Sequence, residues 1–187
     1  NTSNYNILEL EDAYITVVER EISVDASFNK FYDGTTDFVG EYSFNNAIEG
    51  DNIILQAKYD SSEVGDRILT LSLQGLDANN YLLSPNTAFG VIEYEFVNVN
   101  LNYCFEDLQT EEHSQISIST LNLIRNKTIK ESGYNSLPQP FASGWEFEGW
   151  YTKQVGGDKW DIDTFISYEN CPTNTLTLYA HWTQGNV

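Results

Sequence analysis

Apolar and polar residues alternate with a period of two in two stretches near the C-terminus. One face of the first stretch carries Trp145, Phe147, Gly149 and Tyr151. One face of the second carries Leu176, Leu178, Ala180 and Trp182, and the opposite face carries Thr177, Tyr179 and His181. This period is typical of half-buried β-strands, and Gly156-Gly157 between them predicts a tight turn. The same region contains all four tryptophans, Trp145, Trp150, Trp160 and Trp182. We therefore predict a small β module with an aromatic core.

The first half of the chain also alternates, in several shorter runs separated by turn residues. The runs are Ile22, Val24, Ala26 and Phe28; Ile53, Leu55, Ala57 and Tyr59; and Leu69, Leu71 and Leu73. The segment Tyr32–Thr36 interrupts the pattern as a turn. Several short strands spaced by turns predict a β-sandwich-like domain over residues 21–96.

The strand pattern changes phase near Phe96. Ile92, Tyr94 and Phe96 occupy one parity, whereas the next apolar residues occupy the other: Val97, Val99, Leu101, Tyr103 and Phe105. A change of register in a continuous strand marks a bulge or a domain junction. We therefore predict a second module over residues 97–184, joined without a flexible linker because no Gly, Ser or Pro lies at the junction. The expected fold is mainly β, with two small modules in tandem.

Two further segments leave alternatives open. The apolar residues Ile116, Ile118, Leu121, Leu123 and Ile124 fit either a strand or a short helix. Residues 4–18 are similar to residues 80–92: Asn4-Tyr5 matches Asn80-Tyr81, and Val17 matches Ile92. An internal repeat at this spacing indicates an array of similar modules, with residues 1–20 as the tail strand of a preceding one. The alternative is chance similarity between strand ends.

The composition disfavours several classes of partner. The chain carries 28 acidic and 9 basic residues, a formal net charge of −19, which repels phosphate backbones and anionic lipid. We therefore expect no nucleic acid and no membrane insertion. A cationic partner or a divalent cation would be attracted, although a solvated acidic surface is the simpler interpretation. No signal peptide, membrane span or anchor is visible, so we expect a segment of a longer secreted protein with its targeting signals elsewhere.

Few residues offer catalytic chemistry. Cys104 with His113 or His181 is the available nucleophile and base, a pair that needs hydrogen-bond distance and an orienting third group. Cys104 shares the strand parity of the asparagines before it and is predicted to lie on the outer face. We expect no enzyme activity and no cofactor. Cys104 and Cys171 do not form a disulfide framework or a zinc pattern, and we expect both thiols to be free.

Two binding chemistries remain to be weighed. Asp158, Asp161 and Asp163 follow the glycine turn and offer the oxygen ligands that calcium prefers. Their spacing is not that of an EF-hand loop and Trp160 interrupts them, so we interpret them as turn-capping residues and expect no metal site. Aromatic faces also stack on sugars. Exposure of the tryptophans decides between a sugar platform and a buried core.

The stretch GWEFEGWYTKQVGGDKWDIDTF followed by LTLYAHWT resembles the Listeria–Bacteroides repeat, also called the internalin B-type B repeat. The shared features are GWY, the GG turn, KWD and the closing LYA-x-W-T strand, over residues 134–183. The glycine-rich turn that usually follows the first strand of that family is missing here. The resemblance implies a β-grasp-like module of a secreted bacterial surface protein, with its first strand beside its last, and no chemistry.

Residues 21–96 resemble the YDG domain of bacterial adhesins and its MBG-type relatives. The matching segments are KFYDGTT (Lys30–Thr36), Gly50-Asp51, Val64-Gly65 and LQGLDANNYLL (Leu73–Leu83). Asp77 lies four residues before Tyr81, which is similar to the tyrosine corner, where the hydroxyl bonds back to the backbone. The resemblance implies a repeated extracellular stalk module without catalytic residues.

These observations predict structural and adhesive stalk modules of a secreted, non-catalytic protein on the bacterial cell surface. The expected partners are a protein or glycan on a host or neighbouring cell, together with adjacent modules of the same chain. The alternative is a carbohydrate-binding module that uses exposed aromatics, and an enzyme ranks third.

Overall fold

A computed structural model describes residues 16–108 and 118–185. Within these ranges the protein is mainly β, with twelve strands and two short 3₁₀ helices, Ala78–Asn80 and Phe105–Asp107. The predicted fold class is therefore confirmed. Most of the predicted tail strand over residues 1–20, together with His113 and Ile116, lies outside the described residues.

The first seven strands form two sheets around one core. They are β1 (Arg20–Ala26), β2 (Lys30–Phe31), β3 (Tyr42–Asn45), β4 (Ile54–Tyr59), β5 (Gly65–Gln74), β6 (Tyr81–Leu83) and β7 (Thr87–Glu93). One sheet has the order β3-β1-β6 and the other the order β2-β7-β5-β4. The core contains Phe28, Leu55, Ala57, Tyr59, Leu69, Leu71 and Ile92. Val24, Phe44 and Leu83 of the smaller sheet pack against it, so the predicted alternating runs bury their apolar faces between the sheets.

The remaining strands form one five-stranded sheet. They are β8 (Phe96–Asn102), β9 (Ile118–Ile124), β10 (Trp145–Tyr151), β11 (Lys159–Trp160) and β12 (Thr175–Gln184), in the order β11-β10-β12-β8-β9. The parallel pair β8–β12 runs from Asn98 opposite Thr175 to Asn102 opposite Tyr179. The first strand of this module therefore lies beside its last, as the family resemblance implied. Residues 118–124 are a strand antiparallel to β8, which removes the helical alternative for them.

The second module has an aromatic core. Trp150 and Trp160 are buried, and Trp145, Phe147 and Trp182 pack against the same cluster while partly exposed. The prediction that Trp145, Phe147, Gly149 and Tyr151 share one face is wrong beyond Phe147. The pairing of β10 with β12 shifts between Phe147 and Gly149, and this β-bulge reverses which side chains point inwards. Trp150 enters the core, whereas Tyr151 stacks on His181.

The two modules are joined by two residues. Strand β7 ends at Glu93 in the first module, and β8 begins at Phe96 in the second. The change of strand phase in the sequence therefore coincides with the point at which the chain leaves one sheet and enters another. Val97, Val99 and Leu101 are then completely buried in the second core.

Candidate functional site

The connection between the modules contains a buried ion pair. Glu95 Oε2 lies 2.9 Å from Arg125 Nε, and the two side chains are 11% and 0% exposed. The Nε–H does not point at that oxygen, so the contact is an ion pair without an aligned hydrogen bond. The backbone N–H of Arg125 donates to Glu95 O at 2.9 Å. Tyr168 donates its hydroxyl to Glu95 Oε2 at 2.5 Å, and this bond raises the pKa of Tyr168.

Arg125 extends the connection into the second module. Its Nη1 donates to Cys171 O at 2.8 Å, and its Nη2 donates to Thr173 O at 3.1 Å and Asn174 Oδ1 at 2.8 Å. The Tyr168 ring lies 3.9 Å from the guanidinium carbon. A buried charge is tolerated when it is paired and hydrogen-bonded in this way. The sequence reasoning missed this residue; the signal was a charged side chain directly after the apolar run of β9.

The KFYDGTT signature folds around the ammonium group of Lys30. Lys30 Nζ donates to Asp33 Oδ1 at 2.7 Å, to Thr35 O at 2.8 Å and to Asp37 O at 3.1 Å. Asp33 Oδ1 also accepts the backbone N–H of Thr35 at 2.8 Å. Burial acts to raise the pKa of Asp33, but the hydrogen bonds from Lys30 and Thr35 outweigh it and lower the pKa. These polar residues therefore hold the shape of their own loop.

The predicted tyrosine corner is wrong in its partner. The Tyr81 hydroxyl accepts the N–H of Ile48 at 3.1 Å and donates to Asp51 Oδ2 at 2.5 Å, far from its own corner in the sequence. The bond to Asp51 raises the pKa of Tyr81. Asp77 Oδ2 instead accepts the N–H of Asn52 at 2.7 Å. These hydrogen bonds join the Gly50-Asp51 segment to the LQGLDANNYLL segment of the family resemblance. We call this contact between the two segments a polar latch.

The three candidate metal ligands take part in turns, Asp161 through its carboxylate and Asp158 and Asp163 through their backbone N–H groups. Asp161 Oδ1 accepts the N–H of Asp163 at 3.0 Å, and its own N–H donates to Thr164 Oγ1 at 2.9 Å. The backbone N–H of Asp158 donates to Thr152 Oγ1 at 2.9 Å and closes the hairpin. Within the two described ranges, no group of three His, Cys, Asp or Glu side chains is arranged to hold a metal ion.

Within the described residues, no hydrogen bond joins Cys104 to His181, and His113 lies outside them. Cys104 is 3% exposed, and its φ of 55° turns it out of the strand direction after β8 ends, so the outer-face prediction is wrong. Burial, followed by the charges of Glu106 and Asp107, raises the pKa of the Cys104 thiol to about 11. The thiol is therefore protonated at neutral pH and is a poor nucleophile. His181 Nε2 lies 2.8 Å from Lys153 O.

Both cysteines are free, as expected, and both are buried. In the parallel pair, Cys104 lies beyond Asn102 and its partner Tyr179, whereas Cys171 lies before Thr175. The two thiols are therefore at opposite ends of the strand pair, too far apart for a disulfide.

An open cleft lies beside the aromatic core. It has a volume of about 680 Å³ and is lined by residues 135–141 together with parts of β10 and β11. Trp150 and Trp160, which are 1% and 4% exposed, serve the core rather than an open platform. The accessible aromatic surface of the cleft comes from Phe141, which is 56% exposed, with Trp145 and Phe147 partly exposed beside it. Across residues 16–108 and 118–185, no helix has the length and apolar character needed to cross a bilayer.

Comparison with known families divides the chain in the same order as the resemblances. Residues 18–88 match the family model of the YDG domain, and residues 116–181 match that of the Listeria–Bacteroides repeat domain. Strand β8 precedes the second match, although it pairs with β12 inside the same sheet. Both families point to modules of bacterial surface proteins. The chain therefore carries a YDG domain followed by a Listeria–Bacteroides repeat domain.

Proposed function

We propose that this pair of domains is a non-catalytic, structural and adhesive stalk segment of an extracellular protein on the bacterial cell surface. The observation that supports it best is the junction, where two residues, Tyr94 and Glu95, connect the domains. Glu95 is held there by Arg125 and Tyr168. A segment of this kind sets the distance and direction between the domains on either side of it.

The junction contacts explain why the pair would be stiff. Domains in one chain move relative to one another unless their interface restrains them. Here the link is too short to act as a flexible chain, and removal of one partner of a buried ion pair typically costs about 3–5 kcal/mol. A change of domain orientation that separates Glu95 from Arg125 would leave a buried guanidinium without its carboxylate.

Small-angle scattering of the chain tests the stiffness. A variant with a Gly-Ser-Gly-Ser insertion between Tyr94 and Glu95 supplies the flexible control. We expect the unmodified chain to scatter as one elongated particle with a single maximum dimension, and the insertion variant to show a broader distribution. A native chain that scatters like the insertion variant would contradict the proposed function.

The extracellular location is tested on intact cells that carry the parent protein. The net charge of −19 and the two families support a position outside the membrane. Antibodies raised against residues 16–185 should label unpermeabilised cells, and added protease should remove the signal. Labelling that appears only after permeabilisation would contradict this location. The partner is expected to be a protein or glycan of a host or neighbouring cell.

Carbohydrate binding is the second candidate, and the cleft beside β10 favours it. Its volume lies in the range of small-ligand sites, and Phe141, which lines it, is 56% exposed. A glycan array with the whole chain, repeated with Phe141→Ala, tests this function. Phe89→Ala is the matched control, because Phe89 is 82% exposed but lies in the YDG domain. Binding lost only in Phe141→Ala supports the cleft, and absence of binding rejects it.

A further inference from the structure

The tyrosine of the KFYDGTT signature stands apart from the loop that the other signature residues form. The hydrogen bonds of that loop run among Lys30, Asp33 and Thr35. Tyr32 instead donates its backbone N–H to Glu93 O at 2.7 Å, which fixes it beside the end of β7. Its ring packs edge-on against Tyr94, with the ring centres 5.6 Å apart. An aromatic pair therefore lies where the YDG domain meets the repeat domain.

The repeat domain presents a cation and an amide to this pair. Lys127 Nζ lies 4.9 Å from the centre of the Tyr32 ring and 5.4 Å from that of Tyr94, within the range of cation–π attraction. Asn126 Nδ2 donates to Tyr32 O at 2.9 Å. Asn126 has a φ of 61°. Consecutive side chains of an extended strand point to opposite faces, so this left-handed residue lets both side chains reach the same neighbour.

We propose that Tyr32 and Tyr94 form a docking surface for the following domain. This surface recognises a lysine and an asparagine that the following domain carries on a left-handed turn. The inference rests on the proposed function and deepens it, since the occupant is the adjacent domain of the same chain. It gives the signature two roles. Lys30, Asp33 and Thr35 stabilise their own loop, whereas Tyr32 couples the domain to its neighbour.

The surface fits a repeat domain better than a second YDG domain. In each domain, a left-handed asparagine follows the strand antiparallel to the first strand: Asn126 after β9, and Asn46, with a φ of 68°, after β3. The next residue is Lys127 in the repeat domain but Ala47 in the YDG domain. Asn46 Nδ2 also donates to Glu21 O within its own domain. A YDG domain in second place would therefore offer neither the ammonium nor the free amide.

Residual dipolar couplings of the whole chain test the docking surface, because they report the alignment of each domain separately. Lys127→Met removes the charge and keeps an apolar side chain, and Tyr32→Leu removes the ring. The matched controls are Tyr32→Phe, which keeps the ring, Lys127→Arg, which keeps a cation, and Lys130→Met, which removes an exposed lysine of the same domain.

We expect the two domains to share one alignment tensor in the native chain and in all three controls. In Lys127→Met and Tyr32→Leu, the tensors should diverge and the order of one domain relative to the other should fall. The double variant should lose no more order than either single variant, because both substitutions remove the same contact between Lys127 and the Tyr32 ring. A shared tensor retained in Lys127→Met overturns the docking surface and leaves the stiff segment standing. Unequal tensors in the native chain overturn both.

Discussion

The two domains differ in whether their first and last strands are paired with each other. In the repeat domain, β8 and β12 are direct neighbours, with Asn98–Asn102 opposite Thr175–Tyr179 in parallel. In the YDG domain, β1 and β7 lie in different sheets, β1 between β3 and β6 and β7 between β2 and β5. Tension along the chain therefore loads the β8–β12 ladder in shear, with its hydrogen bonds sharing the load. Within residues 16–108, no ladder joins β1 to β7.

The domains also differ in what holds their loops. The repeat domain packs its connections onto an aromatic cluster, in which Trp150 lies 5.2 Å from Tyr103 and 5.4 Å from Phe147 between ring centres. The YDG domain fixes its connections with polar latches, one around Lys30 and one between Tyr81 and Asp51. Truncation of an aromatic residue should therefore destabilise the repeat domain most, and loss of a hydroxyl or a charge should destabilise the YDG domain.

The largest expected effect is that of Trp150→Ala. Trp150 is 1% exposed, and its Nε1 donates to Pro138 O at 2.8 Å. Removal of a buried aromatic of this size costs about 3–5 kcal/mol, a large share of the stability of a small domain. Calorimetry should show the repeat transition lost or strongly lowered and the YDG transition retained. Val155→Ala, at a side chain 88% exposed, is the control and should leave both transitions in place.

Arg125→Met should have the next largest effect on stability. Glu95 and the carbonyls of Cys171 and Thr173 would lose a buried partner, at a cost of about 3 kcal/mol. Glu95→Gln should cost less, because Arg125 keeps its three acceptors in the repeat domain. Urea unfolding of both variants measures the difference. If both variants lose the same free energy of unfolding, the ion pair contributes more to stability than the hydrogen bonds of Arg125 within the repeat domain.

Tyr81→Phe should destabilise the YDG domain alone. The change keeps the ring but leaves Asp51 and the N–H of Ile48 without their bond to the hydroxyl. We expect the melting temperature of the YDG domain to fall by several degrees while that of the repeat domain stays constant. Tyr32→Phe is the control, since the ring of Tyr32 makes its contacts. An unchanged YDG transition in Tyr81→Phe would show that the latch is not a stabilising feature.

The smallest expected effect is the part that Cys104 contributes to the pH dependence of the repeat domain. Burial raises the pKa of the Cys104 thiol from 9.0 to about 11. The unfolded chain therefore loses this proton at lower pH than the folded chain, and stability falls as the pH rises through that window. Below it, the thiol is protonated in both states and contributes no slope. The urea midpoint of Cys104→Ala should fall less over the window than that of the native chain; parallel curves would reject the assignment.

The strands that bury one face were predictable from the sequence. Strands β4 and β5 alternate because each has one buried face, and in β12 the buried Leu178 and Ala180 alternate with partly exposed residues. The predicted turn at Gly156-Gly157 contains two glycines of positive φ. The bulge in β10 was not predictable from alternation, because an inserted residue changes the side that a residue faces without changing its type. Alternation also predicted the wrong side for Cys104, because its left-handed backbone conformation turns the side chain away from the strand pattern.

The junction was not predictable because its partners are distant in the sequence. Glu95 meets Tyr168, and Tyr32 meets Asn126 and Lys127. No local period connects such residues, and each reads on its own as an ordinary polar or aromatic surface residue. The family segments were recognisable from their amino-acid sequence. Only the three-dimensional structure shows that part of the YDG signature stabilises its own loop while Tyr32 contacts the neighbouring domain.

Force spectroscopy of the chain held at both ends tests most directly whether it is a load-bearing segment built from two unlike domains. We expect two unfolding steps: the YDG domain opens first, and the repeat domain, held by the β8–β12 pair, opens at higher force. Trp150→Ala identifies the repeat step by weakening it alone. A repeat domain that opens before the YDG domain, or a chain that extends without distinct steps, would show that the β8–β12 pair does not bear the load.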